Sequence, residues 1–165
     1  MAQDQSETIP APVENRQQSD NALHDVANRL ATVRLHINAA IDKRPPRYGA
    51  KPVTLVAVSK RQPEAKIDAA LGAGQRVFGE NRVQEASQRW TDRRLAYSDL
   101  ILHLIGPLQT NKVAEAVALF DVIEVVDREK LARALAKEMA CQNRSLPCYI
   151  QVNTGEEPQK SGILP

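Results

Sequence analysis

Five apolar segments alternate with polar stretches along this chain, and the first of them ends at a lysine that could do chemistry. The segment Val53 to Val58 is followed directly by Ser59 and Lys60. If this segment is a strand buried in a parallel sheet, Lys60 lies at its carboxyl end, where such sheets bind ligands. Partial removal from water favours the neutral amine that condensation with an aldehyde requires. On this argument alone, a lysine that extends into solvent is the better explanation.

The ends of the other four apolar segments also carry polar side chains. They are Glu80 and Asn81, then Gly106 to Asn111, then Asp127, and last Asn153. Because the carboxyl ends of parallel strands meet at one edge of a sheet, these residues are expected to form a ring on one side of the domain. Capping of the following helix is the simpler explanation for Asp127, whereas capping and a binding role explain Asn81 about equally well.

Several kinds of site are disfavoured by what the sequence lacks. The turn Arg61 to Pro63 contains no glycine, whereas dinucleotide and nucleoside triphosphate sites need glycines there to bring backbone N–H groups onto phosphates. No set of His, Cys, Asp and Glu residues has the spacing of a metal site, and no nucleophile and base can be paired. His103 is interpreted as a hydrogen-bonded interior histidine and Trp90 as a core residue.

Composition argues against nucleic-acid and membrane partners. The 165 residues include 22 Lys and Arg against 20 Asp and Glu, and interspersed charges of this kind give no footprint for an anionic polymer or surface. No apolar run reaches the roughly 20 residues that span a bilayer, and the polar stretch Met1 to Asp20 does not resemble a signal peptide. Cys141 and Cys148 are expected to be reduced thiols, so the sequence predicts a cytoplasmic protein.

The elements that would position these residues alternate between strands and helices. Residues 1–18 are predicted to be a disordered tail, and residues 19–165 the folded domain. A first helix is expected to begin at Ser19 or Asp20 and to stop before Pro45 and Pro46. The predicted strands are residues 53–58, 77–78, 100–105, 122–126 and 148–152, each of the first four followed by a helical pattern. This alternation predicts a parallel sheet with right-handed crossovers.

Two architectures fit this pattern. One is a complete doubly wound sheet of the flavodoxin type, and the other is an incomplete eight-stranded (β/α) barrel. After the fifth predicted strand, Thr154 to Gly162 is a predicted loop, and the sequence given ends at Pro165 without a helix to cover that strand. A typical barrel has about 250 residues. The sequence therefore favours an α/β fold with about five of the eight barrel units, truncated at its C-terminal side.

Four linked motifs resemble one known family. They are Leu55 to Lys60; Gly74 to Asn81 with Val83, Gln84 and Glu85; His103 to Lys112; and Ile150 to Asn153 followed by Lys160, Ser161 and Gly162. Together they resemble the pyridoxal phosphate homeostasis protein family, which includes the bacterial YggS type and the eukaryotic PROSC type. The resemblance runs in order from Asn21 to Pro165.

The resemblance implies a barrel like the N-terminal domain of alanine racemase, with pyridoxal 5′-phosphate held as a reversible aldimine on Lys60. It also implies that Asn81 and Ile105 lie beside the pyridine ring and that Lys160 is a further lysine in cofactor handling. Members of the family are regarded as cofactor carriers without a demonstrated reaction, so no catalytic residue is assigned. The expected partners are the cofactor and pyridoxal phosphate-dependent apo-enzymes, and the full-length form is expected to be a monomer.

The sequence departs from the family pattern in two respects, and two other functions stay open. Arg82 stands where the family commonly has tyrosine, and the final third, which supplies the family's phosphate grip and the partner of the pyridine nitrogen, lies outside this sequence. One alternative is a racemase-like enzyme that uses pyridoxal phosphate, which would need two bases flanking the substrate α-carbon. The other is a flavodoxin-like binding module.

Overall fold

The computed structural model describes residues 13–45, 49 and 52–165. The chain divides into two compact units. The first, called the helical unit below, comprises Met1–Lys51 and Gln62–Gly74. The second, called the sheet unit, comprises Pro52–Arg61 and Gln75–Pro165 and contains every strand assigned in the described residues.

The helical unit consists of two helices that pack against each other. Helix α1 spans Val13–Asp42 and helix α2 spans Glu64–Gly72. Helix α2 begins after Pro63 and buries one side of its surface, as predicted. Helix α1 begins at Val13, earlier than the predicted start at Ser19, because the residues between are mostly good helix formers with no glycine or proline. The rest of the predicted disordered tail, residues 1–12, lies outside the described residues.

The sheet unit is built on five parallel strands in the order β1-β2-β3-β4-β5. They are β1 Ala57–Val58, β2 Val77–Glu80, β3 Ile101–Leu104, β4 Val122–Val126 and β5 Cys148–Ile150. In a flavodoxin-like sheet the first strand lies between the second and the third, so the observed order excludes that architecture. Sequential parallel strands are the arrangement of a (β/α) barrel, which confirms the predicted partial barrel. The sheet is not closed, since β1 and β5 do not pair with each other.

Helices cover one face of this sheet. They are α3 Val83–Ala96, α4 Val113–Leu119 and α5 Glu129–Cys141, with a short 3-10 turn at Thr110–Lys112 before α4. Phe78 of β2 packs on Trp90 of α3, with ring centroids 4.6 Å apart. Both side chains are fully buried, as are Leu102, Leu104 and Ile123. The core of the sheet unit therefore lies between the strands and these three helices, and Trp90 is the core residue that the sequence predicted.

The opposite face, called the open face below, has no covering layer within the sheet unit. Residues paired across parallel strands point the same way, so Val58 and His103 share this face with Glu124. Val58 is 48% exposed and Val53 is 47% exposed. The prediction that strand β1 is buried on both faces is therefore wrong, because β1 is an edge strand with one covered face. His103 Nδ1 lies 2.5 Å from Glu124 Oε1, which confirms a hydrogen-bonded interior histidine.

Candidate functional site

Lys60 lies in the turn that follows β1. Ser59 still belongs to the sheet, since its N–H donates to Gly79 O at 3.1 Å, but Arg61 has a positive φ of 60° and turns the chain. Lys60 is exposed, and no described residue forms a hydrogen bond or ion pair with its amine. The expectation that this position removes Lys60 from water is therefore wrong in the sheet unit, because β1 pairs over two residues only.

Asn81 and Ile105 lie side by side at the ends of β2 and β3. The N–H of Ile105 donates to Glu80 O at 2.9 Å, which extends the pairing of the two strands. A Cβ on Gly106 would lie 2.6 Å from the Asn81 α-carbon, and a Cβ on Gly79 would lie 2.9 Å from Ile105 Cδ1. Two glycines therefore allow the ends of β2 and β3 to approach closely, and this approach places Asn81 next to the loop after β3.

Two adjoining cavities open at the carboxyl ends of the strands. The larger, of about 760 Å³, includes Asn81, Pro107, Lys112, Asp127, Arg128 and Ser161 in its lining. The smaller, of about 340 Å³, includes Ile105, Pro107, Asn153, Lys160 and Ser161. Pro107 and Ser161 belong to both linings, so the cavities meet there. The structure thus brings Asn81, Ile105 and Lys160 to one connected region, whereas Lys60 lines neither cavity.

Asp127 and Asn81 do not cap the helices that follow them. The N-cap residue of α5 is Arg128 and that of α3 is Arg82, and neither makes a side-chain cap hydrogen bond. Asp127 instead pairs with Arg128 Nη1, and Arg128 Nη2 donates to Leu108 O at 2.8 Å. The capping interpretation is therefore wrong, because an adjacent guanidinium competes for the Asp127 carboxylate. The Asn81 side chain makes no hydrogen bond to any described residue.

Lys160 lies in a loop that is held by Asn153. Asn153 is 8% exposed; its Nδ2 donates to Glu157 O at 2.9 Å, and its Oδ1 accepts from the Glu157 N–H at 3.3 Å. The loop returns to the sheet where Val152 bridges Ile163. Lys160 Nζ lies 2.5 Å from Glu157 Oε1, so this amine is engaged in an ion pair on the surface.

Glu80 has a structural position that sequence reasoning missed. The sequence identified it as a polar residue at a strand end, but it is fully buried. Its Oε1 accepts hydrogen bonds from Ser59 Oγ at 2.7 Å, from Arg89 Nη1 at 3.0 Å and from Trp90 Nε1 at 3.0 Å. The available signal was the alternation along β2, which places Glu80 on the same face as the core residue Phe78.

Other site types receive no support in the part of the chain that the structure describes. No group of three or more His, Cys, Asp and Glu residues there could hold a metal ion. Cys141 and Cys148 are free and exposed, and partial burial raises the pKa of the Cys148 thiol. Among these residues, too, no helix has the length and apolar character needed to cross a bilayer.

A family model described as the N-terminal domain of alanine racemase matches residues 47–165. The chain belongs to this family. It is 40% identical over 144 residues to the pyridoxal phosphate homeostasis protein of Escherichia coli K12, covering 86% of this chain and 60% of the relative. It is 41% identical over 134 residues to the protein of the same name from Vibrio cholerae, covering 79% of this chain and 57% of the relative. The resemblance drawn from the four motifs is confirmed.

Solved structures give the same result. The structure of PipY of Synechococcus elongatus without PLP superposes on this chain with a TM-score of 0.69 at 40% identity. The superposition covers 84% of this chain and 58% of the PipY chain. The structure of PipY with PLP bound superposes with a TM-score of 0.66 at 39% identity, covering 83% and 57%. The chain thus spans about 60% of the length of the curated relatives that it matches.

Proposed function

We propose that this chain binds pyridoxal 5′-phosphate and takes part in the homeostasis of this cofactor as a holder, not as an enzyme. The single observation that carries the proposal is the exposed Lys60 amine, which has no hydrogen-bond or ion-pair partner among the described residues and lies at the end of β1, one strand away from Asn81. The names of the relatives and the PLP-bound structure of PipY support the choice of cofactor.

The side chains present suit an aldehyde attached to an aromatic ring. Adjacent strands lie about 4.8 Å apart, and this spacing supports the proposal that one ligand contacts Lys60, Asn81 and Ile105 at the ends of β1, β2 and β3. When bound, pyridoxal phosphate supplies an aldehyde that condenses reversibly with a primary amine. Lys60 Nζ would hold it, the free Asn81 amide would orient the ring through a hydrogen bond, and Ile105 would offer an apolar contact.

A secondary role in cofactor handling is proposed for Lys160. This residue lines the smaller cavity together with Ile105, and its amine would have to leave Glu157 before it could react. The proposed recipients of the cofactor are pyridoxal phosphate-dependent apo-enzymes, whose own lysines compete for the same aldehyde. The proposed compartment is the cytoplasm.

The proposal is tested by trapping. The 165-residue chain is incubated with pyridoxal phosphate, reduced with borohydride and mapped by mass spectrometry, with Lys60→Ala as the control. The pyridoxyl mass is expected on the peptide that contains Lys60, and it should be lost from that peptide in the variant. A label found only on Lys112 or Lys160 would contradict the assignment.

A second measurement separates a holder from an enzyme. The chain loaded with pyridoxal phosphate is incubated with L-alanine, and formation of D-alanine is followed with Lys60→Ala as the control. A holder should give the same low background in both samples. Racemisation that depends on Lys60 would establish the racemase-like alternative and leave cofactor binding intact.

A further inference from the structure

Every polar backbone and side-chain group of Ser59, the residue before Lys60, is engaged. Its N–H donates to Gly79 O at 3.1 Å, its Oγ donates to Glu80 Oε1 at 2.7 Å, and its carbonyl oxygen accepts from Arg89 Nη1 at 2.9 Å. Ser59 itself is 3% exposed. The backbone that leads into Lys60 is therefore fixed by partners on β2 and α3.

Glu80 is the centre of this network. Its side chain is fully buried, and the side chain of its ionic partner Arg89 is 13% exposed. Trp90 Nε1 donates to the same carboxylate oxygen, and the Trp90 ring packs on Phe78. All three donors bind Oε1, while Oε2 is buried without a hydrogen-bond partner among the described residues. Loss of the carboxylate would leave the buried Trp90 N–H without this acceptor.

The network is concentrated where β1 is otherwise weakest. Strand β1 comprises two paired residues, and Val58 is about half exposed on the open face. The Ser59 side chain bonds to Glu80 on the helix-covered side of the sheet, and Lys60 follows it as the first residue of the turn. A fixed Ser59 thus sets the direction in which Lys60 leaves the sheet while contributing nothing that would occupy its amine.

We propose that the Ser59–Glu80 hydrogen bond positions Lys60 for reaction with an aldehyde. Glu80 acts from the helix-covered face and touches no ligand, so it is a positioning residue. The inference rests on the proposed function, since it assigns the support of the amine that the proposed function uses. A buried ion pair that merely stabilises the core would have no specific effect on the turn after β1.

The test removes the Ser59–Glu80 hydrogen bond and leaves the buried ion pair between Glu80 and Arg89 in place. Replacing Glu80 would also remove the buried carboxylate that Arg89 and Trp90 bind, and it risks loss of the fold, so Ser59→Ala is the informative variant. Ser59→Thr keeps the hydroxyl. Asp121→Ala is the control for general destabilisation, because Asp121 accepts from the Leu102 N–H at 2.8 Å and pairs with Arg94 and Arg144 just before β4, away from β1.

Two measurements are made on each variant of the 165-residue chain. The first is amide hydrogen exchange of the peptide covering residues 57–61 without cofactor. The second is the rate of borohydride-trapped labelling at Lys60 by pyridoxal phosphate. Ser59→Ala should speed exchange in this peptide and slow labelling at Lys60 on the order of tenfold, since it removes a hydrogen bond to a charged group. Ser59→Thr should lie close to the original chain.

The outcomes distinguish this inference from the proposed function. Unchanged exchange of residues 57–61 in Ser59→Ala would overturn the positioning role. So would an equal change of exchange and labelling in Asp121→Ala, because general destabilisation would then explain both. If the original chain shows no label at Lys60 at all, the proposed function fails, while the exchange measurement still decides whether Ser59 and Glu80 fix the turn.

Discussion

Two lysines lie near the carboxyl ends of the strands, and the chain holds them in opposite ways. Lys60 has an amine without a partner in the part of the chain that the structure describes, on a backbone that Ser59 fixes to β2 and α3. Lys160 has an amine that is paired with Glu157, in an exposed loop that Asn153 supports from within. In the first region the polar network is buried and leaves the head group free. In the second region, the Lys160 amine is itself part of the polar network, because it pairs with Glu157.

The difference separates two requirements for a reactive amine. Its backbone must be fixed, so that the head group meets the ligand in a reproducible direction. The head group must also be unoccupied, because an amine engaged by a carboxylate first has to break that contact. The region around Lys60 meets both requirements because the polar contacts are made by Ser59, while the Lys60 amine has no partner among the described residues. The predictions below test whether this contrast governs behaviour in solution.

The largest expected effect is that of replacing the free amine. Lys60→Arg keeps the positive charge and the length of the side chain but removes the nucleophile. The absorbance of covalently bound pyridoxal phosphate should fall at least about tenfold at a fixed cofactor concentration, equivalent to about 1.4 kcal/mol or more. A titration followed by absorbance, with Lys160→Arg as the matched variant, measures this. If Lys160→Arg lowers the signal as much, the contrast between the two lysines is wrong.

A backbone contact should give the next largest effect. In Gly106→Ala the new methyl group would lie 2.6 Å from the Asn81 α-carbon, and overpacking of this kind costs about 1–3 kcal/mol. Gly155→Ala in the Lys160 loop is the matched control, because the atoms nearest to its Cβ belong to the exposed Glu157 side chain, at 3.2 Å and beyond. Urea unfolding should show a clear loss of stability for Gly106→Ala and almost none for Gly155→Ala. Equal losses would mean that the two loops are equally constrained.

Release of Lys160 should have a smaller effect. Glu157→Gln removes the charge that engages Lys160 Nζ and keeps the backbone groups that Asn153 binds. An exposed ion pair contributes roughly 0.2–1 kcal/mol, so the reactivity of Lys160 toward an amine acetylating reagent should rise up to about fivefold. Mass spectrometry of competitively labelled chains measures this, with Lys60 as the internal reference. An equal rise in the reactivity of Lys60 would show that the variant changes the whole chain and does not simply release the Lys160 amine.

The smallest effect concerns the strand that precedes the Lys160 loop. Partial burial raises the pKa of the Cys148 thiol, and a raised thiol pKa leaves less of the reactive thiolate at any pH below it. Alkylation of Cys148 by iodoacetamide should therefore be slower in the folded chain than in urea near neutral pH, and its pH profile should shift upward. A folded-state profile that coincides with the profile in urea would contradict this direction.

Much of the sheet unit could be predicted from the sequence because its patterns are local. The apolar run Val122–Val126 became β4 with the predicted bounds, and α3 buries Val83, Ala86 and Trp90 as their spacing indicates. Strand β1 was predicted too long and too buried, because an apolar run shows that a surface is to be covered and does not show what covers it. Lys60 was consequently expected to be less exposed than it is.

The site was less predictable because its contacts join distant segments. Glu80 binds Ser59, which follows β1, and Arg89 on α3, and the register of β1 against β2 brings Ser59 to Glu80. Asp127 fitted a helix cap by position, yet its neighbour Arg128 takes the carboxylate. A sequence pattern orders the elements and identifies their faces, whereas a choice between competing polar partners depends on distances in three dimensions.

The sequential order of the strands has a consequence for folding during synthesis on the ribosome. Each described strand pairs with the strand made just before it, so no pairing has to wait for a distant segment, and such local contacts favour fast folding. Synthesis proceeds at about 5–20 residues per second, which leaves time for each unit to dock on its predecessor. Once Trp90 has emerged, every partner of Glu80 has been translated, and the Lys60 turn can form while the later strands are still being made.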